Sequence, residues 1–167
     1  MRRIVVPVFA LCAALLAGAQ APAPAQQPVA APPTPPPFTY GTPITLEQAK
    51  KAAAGAEAEA KKRNQNMVIA IVEPTGDLVY LQKMDGAQYS AIKIAQTKAI
   101  SAATFGRSTK IFRERVANGD LSPMALAGAV ASDGGIPIVV NGKTIGAIGV
   151  SGGSDDAVAQ AGADALK

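Results

Sequence analysis

The chain has 167 residues, with 16 Lys and Arg against 12 Asp and Glu, no histidine and one cysteine. That length suits one ordinary domain plus an N-terminal extension. Without an imidazole there is no Ser-His-Asp triad, no His-ligated zinc and no His-ligated haem; the small positive balance supplies no basic groove for nucleic acid.

Arg2 and Arg3 precede an apolar run from Ile4 to Ala17, and Ala17-Gly18-Ala19 and Ala19-Gln20-Ala21 both carry small residues at cleavage-determining positions. Residues 1–21 therefore read as a secretory signal peptide, too short for a comfortable membrane span. An uncleaved anchor is the competing reading. Cleavage removes Cys12 and lowers the side-chain balance from +4 to +2. It places the mature chain in the periplasm or outside the cell. Residues 22–40 hold eight prolines and no charge. Such a segment cannot bury enough surface to fold, so it reads as a disordered, extended tether. One domain, residues 41–167, remains.

Thr45 followed by Gln48 forms a capping-box pattern, with Ile44 in the staple position. Leu46, Ala49, Ala53, Ala56 and Ala60 then recur at helical spacing and end at Lys61-Lys62-Arg63. Met67 to Glu73 is β-branched and reads as a central strand. Pro74-Thr75-Gly76-Asp77 turns it into a return strand, Leu78 to Met84. A second helix is predicted from about Ser90 to Thr104, with Ala91, Ala95, Lys98, Ala102 and Phe105 on one face. A third follows at about Lys110 to Ala117, capped by Ser108 or Thr109. A short strand near Gly128–Ala131 is an option. Ile136 to Val140 and Lys143 to Ser151 form a second hairpin around Asn141-Gly142. Gly152-Gly153 releases the chain into a last helix capped by Ser154. Tight hairpins exclude a doubly wound parallel sheet. The expected class is α+β, an antiparallel sheet of about five strands flanked by α-helices.

Lys98 is the oddest polar placement, because a buried ammonium needs a partner or a route to water. It either grips an anion at a pocket or packs its stem on Phe105. Asp85 either pairs with Lys98 or Arg107 or simply turns the chain. Arg107 and Thr109, near a helix start, read as an anion site or as a cap. Gly134-Gly135 and Gly152-Gly153 offer backbone donors or tight turns. Gly146 and Gly149 lie on opposite faces of one strand, one for helix packing and the other for a cavity or subunit contact. Tyr80 and Tyr89 are haem-iron ligands by chemical type, or core and interface residues. Met67, Met84 and Met124 read as apolar fillers.

Met84-Asp85-Gly86-Ala87, Lys98-Ala99, Phe105, Arg107, Thr109, Gly134 to Ile138 and Gly146 to Gly152 recur in one order and spacing. In this the chain resembles the GlcG/HbpS-like family, described as haem-binding or haem-degrading. The resemblance covers nearly all of residues 41–167. It implies a profilin-like or PAS-like sheet and assembly into a dimer or an even-numbered ring. It also implies haem as a cofactor, which here cannot be held by histidine. Asp85, Lys98, Phe105, Arg107, Thr109, Gly134 and Gly135 form the expected ligand site, with no catalytic residue assigned. The expectation is an exported ligand-binding or sensory protein, taking a small anionic ligand and a membrane-associated partner protein. A non-enzymatic oligomeric adaptor and an iron-dependent haem-degrading enzyme are the alternatives.

Overall fold

A computed structural model describes residues 39–167. The stretches read as signal peptide and tether lie outside the described residues up to residue 38. The elements are β1 (Thr39–Tyr40), α1 (Leu46–Lys62), β2 (Val68–Val72), β3 (Leu78–Lys83), α2 (Ser90–Phe105), α3 (Lys110–Ala117), β4 (Gly135–Val140), β5 (Lys143–Ser151) and α4 (Asp155–Asp164), with a 3-10 turn at Ser122–Ala125. Among the described residues no helix is long and apolar enough to cross a membrane.

The central strand is β5, buried from Thr144 to Ser151. β4 lies antiparallel along one side, joined through Asn141-Gly142 at positive φ. The opposite side is shared by β2, which faces Ala147–Ser151, and β1, which faces Lys143–Thr144. β3 extends the sheet beyond β2. Both hairpins form as expected. The fifth strand does not lie at Gly128–Ala131, where Val130 N donates instead to Ser101 Oγ. It is β1, and it runs parallel to β5. Thr39 and Tyr40, inside the stretch read as tether, thus find backbone partners on β5. Tyr40 also donates its hydroxyl to Ala103 O on α2.

Helices cover both faces. β2 alternates strictly: Ile69 and Ile71 pack under α1 and α4, while Val68, Ala70 and Val72 pack under α2. This is the period-two signature of a strand buried on both sides. The alanine stripes explain how close the layers come. On α1 Ala49, Ala52, Ala53, Ala56 and Ala60 are buried, and on α2 Ala91, Ala95, Ala99, Ala102 and Ala103. A Cβ on Gly149 would collide with the α2 backbone at Ala95 O and Ala99 N. A Cβ on Gly146 would meet Ile44 at 3.0 Å on the other face. Both glycines thus serve packing within the subunit, and Ile44 fills the space beside Gly146. α1 begins with the full capping box between Thr45 and Gln48. Ser154 precedes α4 as expected but makes no side-chain cap bond. Met67 is buried, whereas Met124 is 68% exposed and fills no core space.

Candidate functional site

Lys98 lies on the buried face of α2 with only 2% of its surface exposed. Its stem must pass between α2 and the sheet, so its ammonium emerges at the C-terminal end of β5. There Nζ donates to Asp155 Oδ2 at 2.6 Å and to Val150 O at 3.2 Å. The partner expected from sequence, Asp85, is an exposed residue of the turn after β3. Asp155 wins because α4 starts directly beneath the ammonium, and its first-turn position also suits a carboxylate. The other oxygen of Asp155 accepts from Gly152 N at 2.9 Å and Gly153 N at 2.8 Å. One carboxylate thus ties α2, the glycine turn and α4 together.

Thr109 is fully buried. Its Oγ1 accepts from Gly135 N, and its own N donates to Gly135 O, both at 3.0 Å. It is committed to this closure and does not cap α3 through its side chain. Lys110 N instead receives help from Ser108 Oγ at 3.2 Å. Gly134, at φ +100°, accepts from Val150 N at 2.8 Å, and a Cβ there would sit 2.5 Å from Asp155 Cβ. A Cβ on Gly135 would strike Lys98 O and stand 2.6 Å from Thr109 Cγ2. Lys98, Thr109, Gly134 and Gly135 therefore converge, and they converge on Asp155. Their glycines admit close packing and are not an open nest of donors.

Phe105 and Arg107 stand apart from this frame. Phe105 packs edge-on against buried Phe112 of α3, with ring centres 5.1 Å apart. Arg107 donates from Nε to Phe105 O at 3.2 Å, which fixes the turn after α2.

Outside the frame lies a cleft of about 450 Å3, bordered by Arg113, Ser132, Asp133 and the segment 153–157. Arg113 donates from Nε to Asp133 Oδ1 at 2.6 Å. That hydrogen bond and the opposite charge of Asp133 raise the guanidinium's pKa above its ordinary value. Lys110 Nζ stands 3.4 Å from Asp156 Oδ2. Asp156 Oδ1 is buried without a hydrogen-bond donor. Gln65 holds Ser154 of the lining, donating from Nε2 to Ser154 Oγ at 3.1 Å and accepting from Ser154 N at 2.9 Å. A second cleft, of about 410 Å3, lies where β5 begins and includes Gln48, Asn141 and Lys143. It contains none of the expected site residues.

Asp155, Asp156, Arg113, Asp133 and Gln65 were missed in the sequence. The available signal was the Asp155-Asp156 pair directly after Gly152-Gly153-Ser154, in the first turn of a helix whose preceding strand points at the α2 seam.

A five-stranded sheet covered by helices on both faces, with a cleft at one end of its central strand, defines an α+β domain. The chain belongs to the family described as "Haem degrading protein HbpS-like", which matches residues 44–164. It is similar to Protein GlcG of Escherichia coli (strain K12), 39% identical over 108 residues that cover 65% of this chain and 81% of that protein. Among solved structures, Klebsiella pneumoniae protein ORFY is similar at 32% identity and a TM-score of 0.70, covering 77% of this chain and 93% of that one. A double mutant of Streptomyces reticuli HbpS is similar at 31% identity and a TM-score of 0.68, covering 86% and 99%.

Proposed function

We propose that this chain is an exported, non-catalytic binding protein of the haem-associated family, acting as a homo-oligomer and taking a small polar ligand in the cleft beside α4. The carrying observation is the frame behind the cleft. Lys98, Asp155, Thr109 and Gly135 satisfy one another, leaving a rigid polar wall with no nucleophile–base pair. Rigid walls with a few placed polar groups favour selective binding.

The frame also revises the expected ligand. Lys98 and Arg113 are matched by Asp155 and Asp133, and Lys110 faces Asp156. A cleft with its charges balanced favours a neutral or zwitterionic ligand over a simple anion. Exposed Leu121, Met124 and Leu126 support an oligomer, since together they offer apolar surface beyond the core. Export rests on the N-terminal sequence, and the periplasm or the exterior is the proposed location. A membrane-associated partner stays part of the proposal through the tether.

Native mass spectrometry of the protein purified from its producing cells tests the reading. The expected result is a small molecule retained at one per subunit. Subunits that carry nothing favour the oligomeric adaptor instead. The family description favours one competing reading, haem degradation. Loss of haem in the presence of a reductant, above a no-protein control, would displace the binding-only proposal.

A further inference from the structure

Two Asn-Gly steps lie exposed on the folded domain, Asn118-Gly119 after α3 and Asn141-Gly142 between β4 and β5. An asparagine followed by glycine is the thermolabile pairing, because the next backbone nitrogen has no side chain beside it to shield it. That nitrogen is the nucleophile, and the asparagine Cγ is its target. The two steps differ in how freely these atoms can meet.

Gly119 N donates to Val116 O at 3.0 Å. On either side of it, Asn118 N donates to Glu114 O at 3.0 Å and Asp120 N donates to Arg115 O at 3.0 Å. The ion pair of Arg115 with Asp120, at 2.7 Å, closes the same turn. Cyclisation at Asn118 must undo this helix end. Asn141-Gly142 has no such ties: among the described residues Gly142 N donates to no backbone group, and the Asn141 side chain makes no hydrogen bond. A Cβ on Gly142 would meet nothing within 4 Å. Beside the turn, Lys143 and Val139 are exposed, and the ladder to β5 is irregular between Ile138 and Val139. A hairpin tip with so few buried contacts opens locally at lower cost than a tied helix end.

We infer that Asn141 is a site of spontaneous modification, deamidating to isoaspartate and aspartate while Asn118 persists. Gly142 N forms a bond to Asn141 Cγ, the Cγ–Nδ2 bond breaks, and ammonia leaves with the Gly142 amide proton. Water, the only co-reactant, then opens the cyclic imide. Its attack at Cγ gives aspartate, and its attack at the main-chain carbonyl gives isoaspartate. Either product sets a new carboxylate near Lys143, and residues 141 and 143 both border the second cleft. Isoaspartate also lengthens the backbone of a two-residue turn, whose length fixes how β4 registers on β5. None of this depends on the ligand proposed for the cleft beside α4.

The test holds the purified protein at mildly alkaline pH and follows both sites by peptide mapping, reading a mass gain of about 1 Da and isoaspartate content. A parallel sample in denaturant gives each site's rate without the fold. The expected result is conversion at Asn141 at least about fivefold faster than at Asn118 in the folded protein, with the two alike within about twofold once unfolded. Asn141→Gln, with an unchanged melting transition, should lose most of the isoaspartate, and Asn118→Gln should keep it. Equal rates in the folded protein, faster conversion at Asn118, or an Asn141 that stays intact while the unfolded chain converts overturns the inference.

Discussion

Lys98 Nζ stands 2.6 Å from Asp155 Oδ2, joining the middle of α2 to the first residue of α4 across 57 positions of chain. The two partners are unequally sheltered, with 2% of the lysine side chain exposed and 16% of the aspartate. Breaking a buried pair strands whichever charge remains, and the cost follows how well that charge is otherwise solvated.

The two single substitutions should therefore differ. Asp155→Ala leaves a buried ammonium with only Val150 O, and should cost about 3–5 kcal/mol. Lys98→Met keeps the stem's packing and leaves a carboxylate still bonded to Gly152 N and Gly153 N. It should cost about 1–2 kcal/mol. Equilibrium denaturation of both variants measures this. Equal losses, or a greater loss in Lys98→Met, would mean that the pair does not organise the glycine turn.

Gly149→Ala should be costly for a different reason. The added methyl points into the α2 backbone at Ala95 and Ala99, which cannot yield without moving the whole helix. Over-packing of this kind costs about 1–3 kcal/mol. Thermal melting would show the loss, and a melting temperature equal to the parent's would mean that α2 sits farther from β5 than described.

Phe112 is buried at 1% exposure and carries the edge-on contact with Phe105. Phe112→Ala should cost about 3–5 kcal/mol. Half-buried Phe105 should cost less on truncation. The pair is the main apolar anchor of α3, which positions Arg113. Chemical denaturation of the two alanine variants checks the order of the effects.

Asp120 gives a pH-dependent signature. Its carboxylate accepts from Ser122 N at 2.9 Å and is paired with Arg115, and its pKa falls from 3.8 to about 2, with the Ser122 side chain the first cause, then the Ser122 backbone, then Arg115. A depressed folded pKa means stabilisation that is full above the unfolded value and fades as pH drops from about 4 toward 2. An NMR titration of the Asp120 carboxyl should show a midpoint near 2. Ser122→Ala should raise it toward the ordinary range. An unchanged midpoint in that variant would remove Ser122 as the cause.

Much of the fold was legible because its signals are local. The Thr45–Gln48 box, the Asn141-Gly142 turn and the alternation in β2 each declare themselves within a few residues. β1 was not legible. Thr39 and Tyr40 carry no strand pattern, follow a proline-rich stretch and find their strand partner in β5, about 100 residues later. The site divides in the same way. Lys98 stood out because a charge on an alanine seam violates a local rule, and Thr109, Gly134 and Gly135 do gather beside it. Its partner could not be read, since pairing Lys98 with Asp155 depends on where β5 delivers α4. Arg107 stands apart because proximity in sequence to Lys98 says nothing of direction after the left-handed Gly106, and Phe105, the last residue of α2, turns to Phe112 of α3.

The central claim is that the cleft beside α4 is where this protein binds its ligand, and one paired measurement addresses it. Ser132 borders the cleft and takes no part in the Lys98–Asp155 frame. Ser132→Trp should fill the opening and leave the fold intact, as judged by an unchanged melting transition. Native mass spectrometry of both proteins, prepared alike, should find a small molecule on the parent at one per subunit and none on Ser132→Trp. Equal retention by the folded variant, or no retained molecule on the parent, would contradict the claim.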